Sequence, residues 1–215
     1  MKKKDKYLSI ITNFGCHWSC PYCVVKNNNL NIPTTRLEDI DNIRSIMKKY
    51  KCNIVSLSGG GDPLWQYEQH QDYYNKLFNL IGDTRLEMHT SILNSNFPID
   101  KCYRIVYHVR TIEQLRFIER HGNEIVRVVF VVDEHMTKTD IDFIAMFVKK
   151  SKHIDELSFR QMIDKDYQTT YYNYEYLLNG HKKDWWYIQQ GDYNLYYCGG
   201  KIYKKYSDIK GDIAR

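Results

Sequence analysis

The segment Glu124–Asp133, EIVRVVFVVD, constrains the fold more than any other stretch of the chain. Its apolar β-branched residues run consecutively instead of alternating. A strand of that kind is buried on both faces, as in a parallel sheet covered by helices. Shorter apolar runs recur at Tyr7–Thr12, Asn53–Ser58, Arg85–Leu93, Cys102–Val109 and Glu156–Ile163. Helical spacing fills most of the gaps. Leu37–Tyr50 carries Leu37, Ile40, Ile43, Ile46 and Met47 on one face, and Tyr67–Ile81, Thr111–Gly122 and Thr139–Lys150 also read as helices. Thr111 is placed as a cap and Gly122 as a stop. This alternation predicts an α/β fold with a mainly parallel sheet. One connection fits poorly. Asn94–Lys101 is short for a parallel crossover, which takes about a dozen residues or more, so it is expected to be trimmed to a turn or its flanking strands to end elsewhere.

The 215 residues suit one domain, or one domain with a tail. With 43% hydrophobic and 27% charged residues the profile is globular, not disordered. No apolar run approaches the ~18 residues of a membrane span. Met1–Lys6 is basic, but Tyr7–Thr12 is too short for a signal-peptide core, so a cytoplasmic location is expected. In that compartment six cysteines point to metal or redox chemistry instead of disulfides. The composition shifts near Asp164, where a tail begins that holds 11 of the 19 tyrosines together with Trp185 and Trp186. We therefore divide the chain into residues 1–163 and a C-terminal cap, residues 164–215, that is not an independent domain. Aromatic rings in such a tail supply buried area with polar tips, so a lid over the open side of a partial barrel, or core packing, is favoured over stacking on nucleobases. Lysines are interleaved with them at Lys182, Lys183, Lys201, Lys204 and Lys205, but a net charge of +5 is modest for a nucleic-acid surface.

The chemistry concentrates in Asn13–Lys26, NFGCHWSCPYCVVK. Cys16, Cys20 and Cys23 are spaced C-x3-C-x2-C on one loop directly after a strand. Three thiolates together can grip one soft-metal centre. A closed structural zinc site wants four ligands, whereas a four-iron cluster on three cysteines leaves one iron open. His17 is wedged between two of the cysteines, where chelation would strain the loop. A zinc-binding interaction module is the non-enzyme alternative. After the second strand comes Ser58-Gly59-Gly60-Gly61-Asp62-Pro63-Leu64. Consecutive glycines let backbone approach a ligand closely, although a glycine run alone is a weak signal.

Together these segments resemble the radical S-adenosylmethionine superfamily over about residues 7–163. The cysteine loop is similar to its C-x3-C-x-aromatic-C signature, with Tyr22 at the aromatic position, and SGGGDPL looks like its GGE-P motif, with Asp62 in place of the usual Glu. The resemblance implies a partial (β/α)6 barrel of mainly parallel strands with an aromatic-rich C-terminal extension. It implies a [4Fe-4S] cluster held by Cys16, Cys20 and Cys23, with S-adenosylmethionine on the open iron. Reductive cleavage would give a 5′-deoxyadenosyl radical that abstracts a hydrogen atom from a peptide or small-molecule substrate. Tyr22 would pack near the adenine, and Gly59, Gly60, Gly61 and Asp62 would hold the methionine moiety. Thr90, Ser91, His108, Arg160 and Gln161, at strand ends, are further candidate cofactor contacts. Flavodoxin or ferredoxin would supply the electron.

Two other activities remain open on this reading: installing a glycyl radical on a partner protein, and modifying a nucleoside or nucleic acid. Deazaguanine-synthase relatives carry Asp-Thr around the final cysteine where this chain has Val24 and Val25, which disfavours the second. Cys52 and Cys102 flank strands and read as core filler. Cys198, in Tyr196-Tyr197-Cys198-Gly199-Gly200, is a candidate hydrogen-atom donor to a substrate radical, the role a lone thiol plays in some relatives.

Overall fold

The computed structural model describes residues 5–27, 30–162, 177–178 and 195–209. Eight strands form one sheet: β1 (Tyr7–Thr12), β2 (Ile54–Gly59), β3 (Arg85–Thr90), β4 (Arg104–Val109), β5 (Ile125–Val132), β6 (Glu156–Gln161), β7 (Leu195–Cys198) and β8 (Lys201–Tyr203). Their order is β6-β5-β4-β3-β2-β1-β7-β8. Every neighbouring pair is parallel except β7 and β8, which are antiparallel. β6 and β8 lie at opposite edges, so the sheet is an open part of a barrel. The helices that accompany it among the described residues include α1 (Val24–Asn27), α2 (Ile43–Tyr50), α3 (Gln71–Ile81) and α4 (Lys138–Lys150). None of the described helices is long and apolar enough to cross a membrane.

The six expected strands are present, the helix expected at Thr139–Lys150 is found as α4 to within a residue, and the other expected helices are shorter or broken by 3-10 turns. Leu37–Ile40 is a 3-10 turn separated from α2 by Asp41 and Asn42, residues whose side chains compete with helical backbone bonds. Of Thr111–Gly122 only Ile112–Phe117 coils, as a 3-10 turn. Its apolar residues Ile112, Leu115 and Ile118 recur every third position, the period of a 3-10 helix. Between β3 and β4, residues 91–103 make the crossover with one 3-10 turn at Ile99–Lys101. The short-connection difficulty came from strand boundaries drawn too wide. Most of the tail lies outside the described residues. Its described part is structural: β7 joins β1 and extends the sheet.

The two faces of the sheet differ in chemistry. Leu8, Ile10, Val55, Leu57, Leu86, Met88, Ile105, Tyr107, Val126, Val128 and Phe130 point to one face and pack in a single cluster with Ile43, Leu77 and Ile144 of the helices. The strand register places Ser9, Ser56, Glu87 and Arg104 in one row of the other face, with Arg127 and Glu156 paired on β5 and β6. That face mixes these polar groups with buried Ile54, Val106 and Val129, and near β1 and β7 Ile11, Ile32, Tyr196, Cys198 and Ile209 form a second small cluster.

Tyr197 of β7 is buried on the helix-covered face, and its hydroxyl donates to the Asp39 carbonyl. Tyr197→Ala should therefore destabilise the whole domain by about 3–5 kcal/mol in urea denaturation, as for other large buried aromatics. A change under 1 kcal/mol would show that β7 is dispensable.

Candidate functional site

The C-terminal ends of the parallel strands collect the loops after β1 to β5, the edge where α/β folds place ligands. The cysteine loop starts at Asn13, whose side chain donates to the Ile32 carbonyl (2.7 Å) and whose backbone N–H donates to Thr35 Oγ1 (2.7 Å). Gly15 follows with φ +95°, a conformation L side chains rarely adopt, and a Cβ there would lie 2.9 Å from the Trp65 ring. Cys16 is exposed, and Cys20 and Cys23 are half-buried. The Cys23 N–H donates to the Cys20 carbonyl (3.1 Å) and the Asn27 N–H to the Cys23 carbonyl (2.8 Å), winding the last cysteine into α1.

Burial pushes the Cys20 thiol up, the Arg110 guanidinium opposes this, and Cys16 and Cys23 push it up further. Among the described residues no set of three His, Cys, Asp or Glu side chains is gathered closely enough to enclose a metal ion. The donor set itself is three soft thiols with no fourth ligand on the loop, which suits an iron–sulfur centre better than a closed zinc site. His17 lies against the rings of Trp18 and Trp65, with centroids 4.9 and 5.7 Å away.

The glycine loop is fastened to the cysteine loop. The Asp62 N–H donates to the Gly15 carbonyl (2.9 Å) and the Gly60 N–H to the Thr12 carbonyl (2.8 Å). A Cβ on Gly61 would sit 2.1 Å from the Gly15 carbonyl oxygen, so glycine is required for the two loops to touch. Asp62 is only 4% exposed. Its carboxylate accepts from Thr90 Oγ1 (2.7 Å), Ser91 N–H (2.7 Å), Ser91 Oγ (2.7 Å) and Leu64 N–H (3.0 Å). Asp62, Thr90 and Ser91 are thus brought together, but their side chains are engaged with one another. The Tyr74 hydroxyl donates to the Pro63 carbonyl and ties the same loop to α3.

Tyr22 lines a groove of about 340 Å³ with Val109, Arg110, Phe130, Asp133 and Met136, at the ends of β4 and β5. Burial, and then Cys20, push its phenol up to about 12, so it stays neutral. Arg110 stacks over Trp18 at 5.2 Å. Arg160 and Gln161 end β6, half-buried. Cys198 lies at the other side of the sheet, buried beside Ile11. Burial, then Asp39, raise its thiol to about 11.

His108 belongs to a network that the sequence reading did not assemble. Its Nε2 lies 3.0 Å from His89 Nδ1, and His89 Nε2 lies 2.9 Å from Glu87 Oε1. Glu87 also accepts from Ser56 Oγ (3.2 Å) and Arg104 Nη1 (2.8 Å). Arg104 and Arg127 share Glu156, at 3.1 and 2.6 Å. Burial alone would raise the Glu87 carboxyl, but His89 and Arg104 outweigh it and hold it ionised. Burial depresses both histidines, aided at His89 by Arg160 and Arg127, and at His108 by His89 and Arg160. The signal in the sequence was an ionisable residue at every second position of a strand, as in Arg85/Glu87/His89.

No family model matches the sequence, and no curated protein matches it. Among solved structures, the chain is similar to SuiB of Streptococcus suis bound to the precursor peptide SuiA. The TM-score is 0.61 at 14% identity, covering 87% of this chain and 49% of that one. The likeness is one of fold, and the chain spans about half the length of that protein.

Asp62→Ala leaves four donors without their acceptor. It should cost about 2–4 kcal/mol in urea denaturation. Stability should also fall with acid. The folded histidines resist protonation below their ordinary 6.5, so the unfolded chain takes up more protons there and stability is lost as pH falls. The loss should set in as pH falls below 6.5, and His89→Gln or His108→Gln should flatten that slope in a denaturation series.

Proposed function

We propose that this chain is a radical S-adenosylmethionine enzyme that modifies a peptide. The observation that carries the reading is the contact between two loops at the C-terminal edge of the sheet. The loop with Cys16, Cys20 and Cys23 is bonded through the Gly15 carbonyl to the Gly59–Asp62 loop. The thiolates of the three cysteines would hold a [4Fe-4S] cluster. When bound, the cluster and S-adenosylmethionine supply a 5′-deoxyadenosyl radical for hydrogen abstraction, chemistry that belongs to the cofactor.

The protein's part is placement. Gly59, Gly60 and Gly61 would offer backbone groups to the methionine moiety. Asp62 would act by positioning, its carboxylate being spent on Thr90, Ser91 and Leu64. The adenine would lie in the groove beside Tyr22, Val109 and Met136. Arg160 and Gln161 are placed to serve a carboxylate or ribose, and an Arg fork suits a carboxylate. Fold similarity to a protein solved with a precursor peptide supports a peptide substrate. Cys198 would return a hydrogen atom to the substrate radical. Its burial, which keeps the thiol protonated at neutral pH, supports that role. A flavodoxin or ferredoxin would supply the electron, in the cytoplasm.

Anaerobic reconstitution of the full chain tests the reading. We expect about four irons per chain, and methionine plus 5′-deoxyadenosine on adding dithionite and S-adenosylmethionine. Cys16→Ala, Cys20→Ala and Cys23→Ala should each lose the iron. A colourless protein that keeps one zinc would contradict it.

A further inference from the structure

The polar face carries a chain of buried groups that the proposed cofactor roles do not use. Glu87 is a carboxylate paired with Arg104, so it has no proton to give and must accept from His89 Nε2. A neutral His89 then has a lone pair on Nδ1. That lone pair accepts from His108 Nε2, 3.0 Å away. A neutral His108 in turn has its lone pair on Nδ1. That nitrogen makes no hydrogen bond among the described residues, and the ring is only half-buried. Each imidazole is thereby restricted to one tautomer by the group behind it, as second-shell carboxylates restrict catalytic histidines. The order follows the strand direction, with Glu87 deepest, then His89, and His108 one residue from the end of β4.

We propose that Glu87, His89 and His108 form a proton relay that presents His108 Nδ1 as a fixed proton acceptor to a hydroxyl or amide N–H of the substrate. The substrate X–H bond breaks, its electron pair stays on X, and the proton goes to His108 Nδ1. The proton on His108 Nε2 passes to His89 Nδ1. His89 becomes an imidazolium in contact with the Glu87 carboxylate, and His108 is neutral again. One proton has moved inward, and the positive charge rests beside the only carboxylate in the relay. Burial and the neighbouring arginines keep both rings neutral at rest, so the acceptor lone pair is available. The arrangement of the three side chains is independent of the cofactor reading. Only the identity of the donor as substrate rests on it.

The test uses the full chain as purified, labelled with ¹⁵N, so that it succeeds or fails whether or not S-adenosylmethionine is cleaved. Two-bond proton–nitrogen correlation spectra at pH 7 should show His89 and His108 each as a single neutral tautomer, with Nε2 protonated and Nδ1 bare. Diethyl pyrocarbonate, mapped by mass spectrometry, should modify His108 and spare His89, whose two ring nitrogens are both engaged. In Glu87→Gln the single tautomers should be lost. A protonated Nδ1 on His108, a tautomer mixture in the wild-type chain, or a His108 inert to the reagent would overturn the proposal. So would a folded Glu87→Gln chain with unchanged tautomers. If that variant does not fold, the wild-type spectra and labelling decide alone.

Discussion

Four hydrogen bonds converge on the buried carboxylate of Asp62, and together with the backbone bond of the same residue they set the relative placement of the cysteine loop, the glycine loop and the end of β3. The backbone of the same residue holds the cysteine loop through Gly15, while its side chain holds the end of β3 through Thr90 and Ser91. A carboxylate removed from water at this cost is stable only because every donor around it is aimed inward. The longer Glu of the GGE-P pattern would displace that set by a methylene. In this chain the acidic residue and the glycines before it build the platform on which the cysteines stand.

A second constraint runs through the sheet. Its helix-covered face is a continuous apolar core, but the other face carries a buried lattice of Glu87, Glu156, Arg104 and Arg127. Charges buried in this way are tolerable only when paired, and removing one partner strands another. The lattice fixes Glu87, and Glu87 fixes the two histidines above it. Charges deep in the sheet thus set the hydrogen-bonding surroundings of both rings.

Much of this was legible in the sequence. The valine run of β5 and the helical spacing around it gave the parallel α/β sheet, and the cysteine and glycine loops were placed from their motifs. The span of α4 was legible to within a residue, but the lengths of the other helices were not. Whether Ile112, Leu115 and Ile118 continue as an α-helix or stop as a 3-10 turn depends on packing that no single segment encodes. The strand from the tail was hidden too, because Leu195–Cys198 is four residues long and gains its partner in β1 only through the tertiary fold. Asp62 was singled out for its position in a motif, but its Thr90 and Ser91 partners stand at the end of β3, which only the folded sheet brings to it. The relay was missed for a similar reason: Glu87, His89 and His108 stand on two strands, and register alone makes them neighbours.

On the proposed reading, three thiolates on the β1 loop would leave one iron open for S-adenosylmethionine. Electron–nuclear double resonance on the reduced, reconstituted chain measures this directly, using cofactor labelled with ¹⁵N at its amino group. The account predicts a nitrogen hyperfine coupling that appears with the label. A reduced-cluster spectrum unchanged by the cofactor would contradict it.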